Sequence, residues 1–94
     1  MFEMAIGEGG LVKLKGRLDA AEADRALEEL GAVQGPVTID FAELDYISSA
    51  GMGVLLGIQK RLSAGGHGLV LTNMNRHIRE LFTIAGFHHV FTIK

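Results

Sequence analysis

The chain has no cysteine. That absence excludes disulfides, thiolate catalysis and cysteine–zinc sites. Basic residues never run longer than the pair Lys60-Arg61, and the net charge is −2. Nucleic-acid binding needs a basic stripe, so no direct contact with DNA or RNA is expected. No apolar stretch approaches the ~20 residues of a membrane span. The opening Met1-Phe2-Glu3-Met4 has neither the basic region nor the apolar core of a signal peptide. Linkers, internal repeats and low-complexity segments are missing too. What remains is a soluble cytoplasmic protein without membrane insertion. Its 94 residues, 48% of them hydrophobic, suffice for one small domain with one core.

Hydrophobic periodicity divides the chain into eight elements. Phe2 to Ile6 reads as a short strand, and Gly7-Glu8-Gly9-Gly10 as a turn. Leu11 to Lys15 alternates as a half-buried strand should. Asp19 and Glu22 have capping-box spacing, and the helix after them sets Ala23, Ala26, Leu27 and Leu30 on one face. Gly31 suits the left-handed residue that ends such a helix. Pro36 to Phe41 reads as a strand with Asp40 at its C-terminal end. A helix from about Ala50 to Ala64 presents Val54, Leu55, Ile58 and Leu62, and Gly65-Gly66 stops it. Leu69-Val70-Leu71 is continuously apolar, the pattern of a strand buried on both faces. Asn73 or Asn75 caps a third helix with Ile78, Leu81, Phe82 and Ala85 inward. Gly86 ends it, and Val90 to Ile93 is the last strand. The order β-β-α-β-α-β-α-β implies an α/β fold. Its mostly parallel sheet has about five strands, one edge strand antiparallel, and right-handed crossovers through three helices.

The segment Asp45-Tyr46-Ile47-Ser48-Ser49-Ala50-Gly51-Met52-Gly53-Val54-Leu55-Leu56-Gly57 carries the functional signal. It places two hydroxyls where a polar turn becomes an apolar helix. A serine there serves as a cap. It also stands where backbone N–H groups and the helix dipole favour negative charge. A phosphate of charge roughly −2 on that serine is tolerated by the fold yet changes the sign of the surface. Strand ends in such a sheet gather at one edge, which would bring Asp19, Asp40 and Ser49 together. Gly51, Gly53 and Gly57 each cost about 1 kcal/mol relative to alanine within a helix. They imply close packing against the sheet or close approach of a partner. The spacing is not that of a phosphate loop, and Ile47 occupies the first glycine position of a nucleophile elbow. Met52 and Met74 read as core residues or as adaptable partner contacts. His67, His77, His88 and His89 are dispersed apart from the last pair. Adjacent histidines at a strand end face opposite ways, a poor metal geometry. No metal and no cofactor are expected.

With these elements in order, the chain resembles the STAS domain, and more narrowly the bacterial anti-sigma factor antagonists. The residues that carry the resemblance are Gly16-Arg17-Leu18-Asp19, Val37-Thr38-Ile39-Asp40-Phe41, the Asp45–Leu56 segment, and Leu81-Phe82-Thr83-Ile84-Ala85-Gly86-Phe87 with Val90-Phe91. The resemblance implies a partner switch. The unphosphorylated antagonist binds an anti-sigma factor that is also a serine kinase, which frees the sigma factor. Phosphorylation of the serine two residues before the first glycine, here Ser49, ends binding, and a serine phosphatase resets it. The partner surface would comprise Asp19, Asp40, Ser48, Ala50, Gly51, Met52 and Gly53. Departures are Ser48, where an acidic residue is frequent, Ala50, where a second hydroxyl is frequent, and Arg17, where glutamate is frequent. The first two leave Ser48 as an alternative phosphosite, and the third reverses one surface charge.

Two other roles suit the same chain. One is a scaffold or accessory subunit of a signalling or membrane-transport complex, without sigma-factor control. The other is a nucleotide-binding domain or enzyme. It would need an acid–base constellation that Asp19, Asp40 and a helix N-terminus do not complete, so no catalytic residue is expected. A monomer or weak dimer is expected.

Overall fold

A computed structural model describes residues 1–94, the whole chain. β1 (Phe2–Ile6) and β2 (Leu11–Leu18) form an antiparallel hairpin. Then follow α1 (Ala20–Gly31), β3 (Val37–Ile47), α2 (Ser49–Ala64), β4 (Leu69–Thr72), α3 (Arg76–Ile84) and β5 (Thr92–Ile93). The strands lie side by side in chain order, β1-β2-β3-β4-β5, and every pair after the first is parallel. Element order, sheet type and helix number are those the sequence implies.

Each crossover steps to the next strand in the same direction. Right-handed crossovers taken always in one direction deposit their helices on one face of the sheet. Burial along the strands shows that result. Val12, Leu14, Val37, Ile39, Phe41, Leu69 and Leu71 are buried, whereas Lys13 and Lys15 are exposed and Thr38, Asp40, Val70 and Thr72 half-buried. The expectation that β4 is buried on both faces is therefore corrected: Val70 points to the open face.

The core is entirely apolar, and no polar side chain is buried. Phe82 of α3 stands edge-on to Phe41 of β3 at 6.1 Å between centroids, and to Phe87 at 5.8 Å. Such pairs add about 0.5–1.5 kcal/mol beyond their area. Phe87 reaches this position because Gly86 is left-handed, with φ 77°, and turns the chain back under α3. Arg61 of α2 donates to the carbonyls of Leu30 and Val33 at 3.2 and 2.9 Å, which ties α2 to the end of α1.

Several local expectations change. Gly31 remains helical, and α1 closes with the N–H groups of Ala32 and Val33 donating to the carbonyls of Glu29 and Leu30 at 3.3 and 3.1 Å. Leu27 is 44% exposed, and Ala85 lies on the surface beyond α3. Val90 precedes the last strand. His88 and His89 share a 3-10 turn with ring centroids 3.9 Å apart, not on opposite faces of a strand. No helix is long and apolar enough to cross a membrane.

Candidate functional site

β2 and β3 end level with one another, Leu18 opposite Ile47. Each strand passes directly into a helix, so two helix N-termini emerge at one edge of the sheet. The Ser48 N–H donates to the Leu18 carbonyl at 2.9 Å and extends the ladder by one bond. Asp19 caps α1: its Oδ1 accepts from the N–H groups of Ala21 and Glu22 at 3.1 and 3.3 Å. Glu22 does not reciprocate as a capping box would. Its carboxylate lies 3.4 Å from Arg25 instead.

The two serines divide the work. Ser48 is the N-cap of α2, and its Oγ accepts from the Gly51 N–H at 3.2 Å. Ser49 is the first helical residue, exposed, and its hydroxyl has no hydrogen-bond partner in the protein. Of the four N–H groups at this end without a helical partner, that of Ser48 donates to the Leu18 carbonyl at 2.9 Å and that of Gly51 to the Ser48 Oγ at 3.2 Å. The N–H groups of Ser49 and Ala50 remain at the positive end of the helix dipole. That environment suits an anion on the Ser49 oxygen.

Three glycines weaken α2 as a helix, at about 1 kcal/mol each. Val54, Leu55, Ile58 and Leu62 are buried, and at roughly 1.5–3 kcal/mol each they outweigh that cost. Only Gly51 has an internal reason. A Cβ there would lie 2.8 Å from the Leu18 carbonyl oxygen and 2.9 Å from side-chain atoms of Leu18 and Ile47. Gly53 and Gly57 face open space, with nothing within 4 Å of an added Cβ. With Ser49 they fall four residues apart along one exposed stripe of the helix. Ala50 is exposed, and Met52 is half-buried against the core. Met74 is buried at 8% exposure and lies in the core.

Asp40 is not at this edge. β3 runs on to Ile47, so Asp40 lies seven residues before its end, about 20 Å down the strand at ~3.3 Å per residue. The expectation that it neighbours Asp19 and Ser49 is corrected. Its Oδ1 accepts from the Ala42 N–H at 2.9 Å and from Asn73 Nδ2 at 3.1 Å. These bonds, the first above all, hold its pKa below the ordinary value against the opposing effect of burial, with the least help coming from Lys13. Asp40 therefore braces the first irregularity of β3, where the register with β2 shifts. Sequence reasoning also missed Tyr46 as a structural platform. It lies opposite Arg17 in the ladder, and the Arg17 guanidinium carbon rests 4.2 Å from its ring centroid.

Comparison with known proteins fits this geometry. The family model described as "Mlab, STAS domain" matches residues 3–93. BtrV of Bordetella bronchiseptica, described as an anti-sigma factor antagonist, is 38% identical over 84 residues, 85% of this chain and 72% of that protein. The fold matches the crystal structure of an anti-sigma factor antagonist from Mycobacterium paratuberculosis, with a TM-score of 0.88 at 18% identity over 99% of this chain and 85% of that one. It also matches the Bacillus cell fate determinant SpoIIAA in its phosphorylated form, with a TM-score of 0.72 at 22% identity over 100% of this chain and 91% of that one. The chain belongs to the STAS domain family, among the anti-sigma factor antagonists.

Proposed function

We propose that this protein is a phosphorylation-controlled partner switch. Unphosphorylated, it binds an anti-sigma factor that is also a serine kinase, and the sigma factor is released. The kinase transfers the terminal phosphoryl group of ATP to the Ser49 oxygen, which gives up its proton as ADP leaves, and the complex dissociates. A serine phosphatase restores the binding form.

One observation carries the choice of residue. The Ser49 hydroxyl is exposed and unbonded at the first position of α2, whereas the Ser48 hydroxyl is engaged as the cap. A kinase reaches the first without undoing the helix. The bare stripe of Gly53 and Gly57 beside it gives a partner close access to the α2 backbone. A phosphate on Ser49 then sets roughly two negative charges in the middle of that surface. The helix dipole tolerates them, whereas a docked partner loses its fit. Asp19, Ser48, Ala50, Met52 and Gly53 form the remainder of the contact, whereas Gly51 is buried against Leu18 and Ile47 and seats the helix. Relatives described as anti-sigma factor antagonists support the same reading.

The test is calorimetric titration of the purified serine kinases of the protein's own genome. At least one binds the wild type and Ser49→Ala alike and fails to bind Ser49→Asp. Equal binding of Ser49→Asp and wild type rejects the switch.

A further inference from the structure

The chain has five arginines, and four of them spend their guanidinium groups on oxygen acceptors. Arg25 pairs with Glu22 and Glu29 and donates to the Phe2 carbonyl. Arg76 pairs with Glu80. Arg61 donates to Leu30 and Val33, and Arg79 to Lys94. Arg17 alone has no carboxylate or carbonyl partner. Its donors are unspent, yet the group is held in place over Tyr46.

The position follows from the local chain. Between Gly16 and Arg17 the β2–β3 register slips by one, and Asp45 is the extra residue on β3. Gly16 allows the irregularity: its φ is 89°, and a Cβ there would sit 2.3 Å from the Met1 carbonyl oxygen. The Arg17 N–H donates to that same carbonyl at 2.9 Å, which fixes its backbone. Arg17 and Tyr46 thus face each other one step before Leu18 and Ile47, at the edge from which Asp19, Ser48 and Ser49 project.

We propose that Arg17, laid on Tyr46, is a specificity contact that receives a carboxylate side chain of the partner kinase. This rests on the partner-switch reading above. The guanidinium fork matches a carboxylate in two parallel bonds. Stacking on the ring removes rotamer freedom before binding, so less is lost on docking. An unpaired cation at the rim accepts an acidic partner surface and rejects a basic one. Phosphorylation at Ser49 then sets a dianion at the same edge as the incoming carboxylate, and like charges oppose docking.

The experiment titrates the same panel of purified kinases with wild type, Arg17→Glu, Arg17→Lys, Tyr46→Phe and Ser49→Asp. Circular dichroism checks that each variant is folded. Arg17→Glu weakens binding by about tenfold or more. Arg17→Lys, which keeps the charge and loses the fork, weakens it less. Tyr46→Phe, which keeps the ring, binds as the wild type does. Exchange of an acidic residue for lysine on the kinase restores binding of Arg17→Glu. If folded Arg17→Glu and Arg17→Lys bind as tightly as the wild type while Ser49→Asp does not, this inference is wrong and the switch stands. Wild-type affinity in Ser49→Asp rejects the switch, and with it this inference. If no kinase binds the wild type, both are rejected.

Discussion

The amide of Ser48 donates to the carbonyl of Leu18 at 2.9 Å. This bond joins the end of β2 to the start of α2, so the helix that carries Ser49 is seated on the strand ends rather than on a free loop. The same seat explains the demand for glycine at position 51, whose backbone passes against Leu18 and Ile47. A serine presented this way has a fixed backbone and a free hydroxyl.

Replacement of Gly51 by alanine separates this seat from the rest of the helix. The added methyl meets a main-chain oxygen at 2.8 Å, which has little room to yield. A loss of about 1–3 kcal/mol is expected. Gly53→Ala and Gly57→Ala meet nothing within 4 Å and should each stabilise by up to about 1 kcal/mol. Urea denaturation measures all three, and a destabilised Gly53→Ala contradicts the bare stripe.

The serines should separate as cleanly. Ser48→Ala removes the cap of α2 and is expected to lower stability by about 1 kcal/mol. Ser49→Ala removes a hydroxyl with no partner and should leave the unfolding midpoint unchanged. Equal losses in the two variants would mean that both hydroxyls hold the helix.

Asp40 supplies a pH dependence. Its folded pKa lies below the ordinary 3.8 because Ala42 and Asn73 donate to the carboxylate. The unfolded chain therefore takes up this proton first as pH falls. The contribution of Asp40 is whole above the ordinary value and disappears as pH drops through the lowered one. Asp40→Asn should unfold more readily than wild type at pH 7, and the gap should shrink below pH ~4. A gap that is constant with pH would show that the carboxylate charge is not involved.

Phe82 sits at the centre of the aromatic cluster, within 6.1 Å of Phe41, Phe87 and Phe91 by ring centroids. Truncation to alanine is expected to destabilise by about 3–5 kcal/mol. Thermal unfolding of Phe82→Ala measures it, and a loss under 1 kcal/mol would mean that the cluster repacks around the gap.

Most of the fold was legible in the sequence because its signals are local. Asp19 and Asn75 cap the helices they precede, and Gly86 takes the left-handed turn after α3. The candidate site could be proposed from sequence because the segment around Ser49, Gly51 and Gly53 resembles the motif of the anti-sigma factor antagonists. What escaped depends on longer relations. β3 buries Val37, Ile39 and Phe41 at a period of two, then Leu44 and Ile47 at a period of three. The two register shifts against β2 cause that change, and a strand with broken alternation reads as a strand followed by a loop. Asp40 was misplaced for this reason alone. The open face of the sheet follows from the sequential strand order, which local pattern does not encode. The Arg17–Tyr46 stack needs the register that sets two residues 29 apart in the chain opposite each other.

The most direct measurement is intact-mass and fragment analysis after incubation with ATP and each serine kinase of the protein's own genome. The account predicts one added phosphate, mapped to Ser49, with loss of binding to the kinase that placed it. Phosphate on Ser48 alone, or no phosphate from any of these kinases, would contradict it.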